Sequence, residues 1–301
     1  MRKSGSVRFI ALIAALTIVG VACGDEPAAT PAPAEEQTVL ERIEEQGVIE
    51  IATDSKYKPQ SWFVYATGEW KGFDVDVAKE VTARLGEQLG VEVTPEIEHH
   101  DWATDVTAGS WNDRYDMNVG SMTVTPEREE LFIFSPGYYF TPASLAVHAD
   151  NTSVQDVTTD LDGKKVCVGA GTTYQLYLEK ALNITGYDIE YVIDDATIVP
   201  FDTDTDALDQ LALGDGVRCD AAMTATPTID QYVQDGGAIK GVGDPLYDEP
   251  LAIAFDRNAP IDNQSLIDAV SGIIDEMHAD GTLTELSEKW YEGQDLTQAS
   301  T

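Results

Sequence analysis

The 301-residue chain predicts an α/β protein with two open, mostly parallel sheets flanked by helices. Three observations carry that expectation. Short β-branched runs alternate with amphipathic segments, the alternation restarts near residue 165, and a strand-helix-helix stretch closes the chain. In the first round, residues 48–52 (Val-Ile-Glu-Ile-Ala) read as a strand. Residues 72–89 read as a helix with Val77, Val81, Leu85 and Leu89 at four-residue spacing. Strands at 91–97 and 115–119 follow, with a short helix at 102–111 between them. The second round runs from a strand around Cys167 through Gly169-Ala-Gly-Thr-Thr173 into a helix carrying Tyr174, Tyr177, Leu178 and Leu182. A strand at 189–193, a helix at 206–213, a strand at 219–223 and a helix at 228–234 complete it. The tail adds a strand at 251–255 and helices at 263–278 and 283–291, parted by Asp280-Gly281.

Charge narrows the function classes. Eighteen Lys+Arg against 54 Asp+Glu leave a formal charge of −36, although charged residues are only 24% of the chain. The sign of the charges, not their number, makes the protein acidic, and 43% hydrophobic residues suit a folded core. No Lys/Arg-rich run follows the first ten residues, so phosphate backbones are repelled and nucleic acid is excluded as a partner.

Residues 1–23 read as an export signal, with Arg2, Lys3 and Arg8 ahead of an apolar run that ends at Ala22. About 14 apolar residues are too few to span about 30 Å of hydrocarbon. Val21-Ala22-Cys23-Gly24 resembles the lipobox of bacterial lipoproteins, with Gly20 where a large aliphatic residue is usual, and implies lipidation of Cys23. Residues 24–38, rich in Ala, Pro, Thr and Glu, read as a flexible tether. Cys167 and Cys219 then remain as one expected disulfide in an exported chain, the alternative being two buried thiols. Neither has a histidine at metal-ligand spacing, and no metal or cofactor is expected.

Seven segments follow one another along the chain: Gly47-Val-Ile-Glu-Ile-Ala-Thr-Asp54, Gly72-Phe-Asp-Val-Asp-Val-Ala78, Gly120-Ser-Met-Thr-Val-Thr-Pro-Glu-Arg128 and Phe134-Ser-Pro-Gly-Tyr-Tyr139, then Leu161-Asp-Gly-Lys-Lys-Val166, Gly171-Thr-Thr173 and Ala279-Asp-Gly-Thr282 with Lys289-Trp-Tyr291. In this order and spacing they resemble the extracytoplasmic solute-binding proteins of ABC importers, family 3, the polar amino-acid binders. The resemblance implies the two-lobed periplasmic-binding-protein fold, with a solute cleft between the lobes. Two crossing segments are expected at 139–144 and 246–251. Lobe 1 takes 39–140 plus 252–293, lobe 2 takes 141–251, and 294–301 is a tail. The implied protein is exported to the periplasm or cell surface, held to the membrane only by a lipid anchor. Its implied partners are a small polar solute and the importer's permease subunits.

Zwitterion capture needs a fork for the carboxylate, donors beside it and an acceptor for the ammonium. Arg128 supplies the fork, at the start of a helix opened by Thr125 and Pro126; a surface pairing with Glu129 or Glu130 is the alternative. The resemblance implies Ser121 and Thr123 as donors from lobe 1, and Gly171, Thr172 and Thr173 at the matching sheet edge of lobe 2. Asp54 aligns with an acidic cleft position, Tyr57 and Trp102 with aromatic walls, and Thr224 with the end of a lobe 2 strand. Trp62, Asp202 and Thr226 are secondary candidates. Where the family has an Asp for the solute's ammonium, this sequence has Ala225. Asp202, Asp204 or Asp206 then replaces it, or hydroxyls and carbonyls do, or the solute lacks a primary amine.

Two other functions compete with solute capture for transport. A dehydratase on the same fold needs a carboxylic acid in the cleft, and Ala225 stands at the position most able to provide one. His99-His100-Asp101 reads as a solvated loop rather than a metal or acid-base group. A solute-sensing protein is the other alternative. The overall charge mildly favours zwitterionic or cationic solutes over dianions.

Overall fold

A capping box starts the first helix. Thr38 accepts the Glu41 amide while the Glu41 carboxylate takes the Thr38 amide, fixing α1 (Val39–Gln46), which Gly47 ends. The computed structural model describes residues 37–109, 111 and 114–299; the export signal, Cys23 and residues 24–36 of the expected tether lie outside the described residues, while its last two, Gln37 and Thr38, belong to the start of α1 through the Glu45 and Glu41 carboxylates. β1 (Val48–Thr53) leads into a small antiparallel sheet of β2 (Lys56–Tyr57), β3 (Ser61–Val64) and β4 (Glu69–Lys71). α2 (Phe73–Leu89) buries Phe73, Val77, Val81 and Leu85 on one face. Its entry depends on Gly72, where a Cβ would stand 2.2 Å from the Gln60 carbonyl. β5 (Thr94–His99), a π-helical turn (Trp102–Val106), β6 (Met117–Thr123) and α3 (Pro126–Glu129) follow. The 17-residue β7 (Phe132–His148) then crosses into the second lobe.

There, β8 (Lys164–Gly169), α4 (Thr173–Leu178), β9 (Ala196–Phe201), α5 (Asp204–Leu211), β10 (Ala221–Ala225) and α6 (Thr226–Gln234) repeat the α/β pattern. β11 (Ile239–Asp256) returns to the first lobe, where α7 (Gln264–Asp280) and α8 (Thr282–Trp290) cover the sheet. The sheet order is β5-β1-β6-β11-β7-β10-β8-β9. β1 runs parallel to β5 and β6, and β8 runs parallel to β9 and β10. The two parallel halves are joined through the antiparallel crossing strands, with Tyr139 opposite Leu251 and Ala143 opposite Tyr247. Register breaks flank that crossing.

The core divides the same way. Ile49, Phe73, Val81, Ile253, Phe255, Val270 and Ile274 share one cluster, and Leu145, Val166, Tyr174, Tyr177 and Met223 share another. Each buried side chain of this size contributes about 1.5–3 kcal/mol. The Cys167–Cys219 disulfide is formed in a third cluster, beneath Ala207, Leu208 and Leu211 of α5. Described residues of the expected tail dock as well: the Phe140 amide donates to the Leu296 carbonyl at 2.8 Å. Among the described residues, no helix is long and apolar enough to cross a membrane.

Three local expectations are corrected. Residues 189–193 are not a strand. The Tyr177 hydroxyl donates to the Glu190 carbonyl at 2.9 Å and receives the Val192 amide at 3.0 Å, so a side chain replaces the ladder. The strand is β9, a few residues later at the sheet edge, where Pro200 is tolerated. The helix expected at 102–111 is only the π-helical turn, whose amides reach Asp101 and Trp102. Finally, α4 stops at Leu178, and Leu182 is buried from an irregular segment.

Candidate functional site

The cleft lies beyond the carboxyl ends of the parallel strands, where open α/β sheets gather their ligands. Asp54, Tyr57, Trp102, Ser121, Thr123 and Arg128 line it from the first lobe. Thr172, Thr173, Asp202 and Asp204 line it from the second, and Thr141, Glu249 and Leu251 of the crossing strands form its floor.

Arg128 is placed by local capping. The Thr125 hydroxyl accepts the Arg128 amide at 3.2 Å, and Pro126 begins α3. The guanidinium is buried, donating from Nη1 to the Thr123 carbonyl at 3.0 Å and from Nη2 across the cleft to the Gly171 carbonyl at 3.3 Å. Its carbon lies 5.4 Å from the centre of the Trp102 ring, whose face attracts a cation. Burial holds its pKa below the ordinary value, an effect opposed by the negative charge of Glu249. The Trp102 indole also donates to Gly171, at 3.3 Å, and the Tyr57 and Tyr174 hydroxyls meet at 3.2 Å. At the rim, Lys56 pairs with Asp206 at 3.2 Å and Lys58 with Asp235 at 2.7 Å. The lobes therefore touch across the cleft and at its rim, the arrangement of a closed form.

Glu249 is the group that sequence reasoning missed. Its carboxylate is buried in the floor, accepting hydroxyls from both lobes: Thr123 at 2.8 Å and, in a short contact, Thr173. Burial pushes its pKa up; hydrogen bonds from the surrounding hydroxyls and the charge of Arg128 pull the other way. Asp248-Glu249-Pro250 looks like an exposed turn in sequence, and only the pairing of Glu249 with Thr141 across β11 and β7 signals burial.

Of the three acids in the loop before and within α5, Asp204 is the buried one. The Thr203 side chain caps the helix, and Asp204 Oδ1 accepts the Gly169 amide at 3.1 Å. A Cβ at residue 169 would stand 2.6 Å from that oxygen, so glycine permits the approach. Burial, chiefly, pushes the Asp204 pKa up to about 8, and Asp54 and Glu249 add to the rise. Burial also raises the Asp54 pKa, against its hydrogen bond from the Lys56 amide at 2.7 Å. Asp202 lines the cleft, whereas Asp206 is held at the rim by Lys56.

The remaining sequence candidates divide. Gly171 is not part of the cleft lining but is the carbonyl that Arg128 and Trp102 share. Thr172 caps α4 and donates to the Gly169 carbonyl at 2.8 Å. Trp62 packs edge-on against Trp290, outside the cleft, because the hairpin β2–β3 turns it toward α8. Thr224 is buried behind the cleft wall, and Thr226 bonds Ser144 at 2.6 Å and the Pro142 carbonyl at 3.0 Å on the hinge side. Ala225 is buried opposite Ala143 and does not line the cleft. His100 pairs with Tyr115 and has its pKa pushed down to about 4 by burial, so it is neutral at physiological pH. No group of three or more potential metal ligands occurs among the described residues.

A family model of the bacterial extracellular solute-binding proteins, family 3, matches residues 49–293. The chain belongs to that family. Among its relatives is the L-cystine-binding protein TcyJ of Escherichia coli (strain K12), 27% identical over 264 residues that cover 87% of this chain and 89% of the relative. The histidine-binding periplasmic protein of Salmonella typhimurium is 27% identical over 252 residues, 81% of this chain and 87% of the relative. Among solved structures, the ancestral amino acid-binding protein AncCDT-1, described as a precursor of cyclohexadienyl dehydratase, is similar with a TM-score of 0.68 and 27% identity. It covers 84% of this chain and 99% of its own. An ancestral arginine-binding protein bound to arginine gives a TM-score of 0.66 at 27% identity, over 82% and 99%. This family-3 solute-binding protein thus has the expected two-lobed fold.

Proposed function

We propose that the cleft captures an amino acid, with its carboxylate on Arg128 and its ammonium among the acids opposite, and delivers it to the membrane subunits of an ABC importer. The observation that carries the reading is a single buried guanidinium facing Glu249, Asp204 and Asp54 in one cleft. Arg128 then exchanges a carbonyl partner for the solute carboxylate, a stronger charge-assisted pair. Asp204 replaces the counterion missing at Ala225, and with Asp54 and Glu249 also present a second positive group on the solute is favoured. Lobe 1 (39–140 with 252–293) contributes the cation and lobe 2 (141–251) contributes Asp204, so a solute touching both shifts the population toward the closed form. We further infer export and lipid anchoring at Cys23, a modification that Cys23→Ser abolishes by mass of the N-terminal peptide.

A thermal-shift screen of the mature protein against amino acids, betaines and organic acids tests the capture reading. Cationic amino acids are expected to raise the midpoint most. A second reading is kept by one observation: Asp204, with its pKa near 8, is a carboxylic acid able to donate a proton at neutral pH. The names of the relatives favour binding over catalysis. Turnover of a cyclic carboxylic acid, with no midpoint shift from any amino acid, reverses that preference.

A further inference from the structure

Ser121 lines the cleft, yet neither its hydroxyl nor its amide is free to meet a solute. Its backbone has φ 57°, in the left-handed region that a serine enters only when its surroundings hold it there. Those surroundings converge on one buried carboxylate. The Ser121 hydroxyl donates to Asp74 Oδ2 at 2.6 Å and meets the Tyr139 hydroxyl in a short contact. The Ser121 amide donates to the Tyr138 hydroxyl at 3.3 Å, and that hydroxyl donates to Asp74 Oδ1 at 2.7 Å. Two chains of donors therefore end on Asp74, one through the side chain of Ser121 and one through its backbone. An ionised carboxylate, an acceptor only, satisfies both directions.

The groups around Asp74 come from two strands and one chain end: Ser121 lies on β6, Tyr138 and Tyr139 on β7, and Tyr291 just beyond α8. Burial raises the Asp74 pKa to about 7, and the two hydroxyl donors lower it. Asp76 on the same helix points outward to Lys289 and Trp290. Because β6 breaks register with β11 near this point, between Ala252 and Ala254, the ladder alone does not fix Ser121.

We propose that Asp74 is a positioning residue of the solute site: it holds the cleft residue Ser121 in its left-handed conformation and so fixes the shape of that part of the wall. The proposal rests on the capture reading above. Asp74 itself does not line the cleft.

The test is a double-mutant cycle titrated by calorimetry with L-arginine, L-histidine and L-cystine. Asp74→Asn keeps the shape but presents an NH2 group to one of the two converging donors, so one chain must turn away. Affinity is expected to fall about tenfold, the scale of one strained residue released. Tyr138→Phe keeps the ring that stacks on Phe73 and removes the relay hydroxyl; it is expected to weaken affinity about threefold to tenfold, and it serves if Asp74→Asn does not fold. In a Ser121→Gly background glycine takes the conformation unaided, and either second change is expected to alter affinity less than about twofold, whatever Ser121→Gly does alone. Additive losses, or an unchanged affinity in the single variants, overturn the proposal. If wild-type protein gives no heat with any of the three amino acids, the thermal-shift screen decides the capture reading. The proposal is then judged by crystal structures of wild type and of whichever variant folds, where a Ser121 φ that stays near 57° in the variant overturns it.

Discussion

The two lobes share a strand-helix plan and differ in what stabilises them and in the chemistry they bring to the cleft. Lobe 1 lays two 17-residue helices, α2 and α7, over its half of the sheet and presents a buried cation framed by aromatic rings. Lobe 2 has helices of only 6, 8 and 9 residues, relies on irregular chain around 179–195, and presents Asp204 with a row of threonines. A shorter helical cover buries less apolar surface, and lobe 2 is the lobe that carries the disulfide. The difference separates two kinds of change: those in the lobe 1 wall alter recognition, and those in lobe 2 alter stability as well.

Arg128→Ala is the largest predicted break. Removing one member of a buried charge pair costs about 2–5 kcal/mol of binding, or roughly 30- to 4,000-fold in affinity. Calorimetry on a solute that binds wild type checks it, and a loss under fivefold removes Arg128 from the carboxylate role. Next is Cys167→Ala with Cys219→Ala. The 52-residue separation puts the lost stabilisation at about 2–4 kcal/mol, a midpoint drop of roughly 4–16 °C, with solute affinity of the folded protein nearly unchanged. If reduction leaves the midpoint unmoved, lobe 2 does not depend on its cross-link.

Asp204 lies on both sides of the comparison, and its sign can be worked out. Its pKa rises from 3.8 in the unfolded chain to about 8 in the folded protein, so the folded state holds the proton more tightly. That contribution to stability is complete below about pH 4 and is lost as pH climbs to about 8. Solute-free Asp204→Asn is therefore expected to melt above wild type at pH 8–9 and level with it near pH 4, at about 2–4 °C per kcal/mol recovered. The same variant is expected to bind amino acids more weakly at pH 8. Higher stability with unchanged affinity would leave the ammonium to Glu249 or Asp54.

What was legible follows from what is local. The face of α2 could be read because Val77, Val81 and Leu85 recur with the helical period and meet one core. Arg128 could be read because Thr125 and Pro126 signal its helix start within three residues. Residues 189–193 misled because an apolar run does not say whether its amides meet a strand or the Tyr177 hydroxyl. Glu249 was invisible for a related reason. Its burial is created by β7 and β11 pairing residues more than 100 positions apart, Thr141 and Glu249 among them. The loop acids could be named from sequence but not ranked, since only the folded approach of Gly169 singles out Asp204 from Asp202 and Asp206.

The smallest expected effect lies at the rim, where the comparison between lobes becomes a contact between them. Lys58, beside the hairpin of lobe 1, reaches Asp235 just beyond α6 at 2.7 Å, with both side chains 45% exposed. Water screens such a pair, so its worth is about 0.2–1 kcal/mol, and it exists only when the cleft is closed. Lys58→Ala should therefore act on the closing equilibrium alone: affinity falls less than about fivefold, with the midpoint of the solute-free protein nearly unchanged. Salt supplies the sharper readout. The difference between variant and wild type should shrink toward zero as ionic strength rises to about 1 M, where the screening length drops to about 3 Å. A difference that persists at high salt would assign the effect of Lys58 to packing of its stem over the Trp62 ring, whose centre lies 5.7 Å from the ammonium, rather than to charge across the cleft.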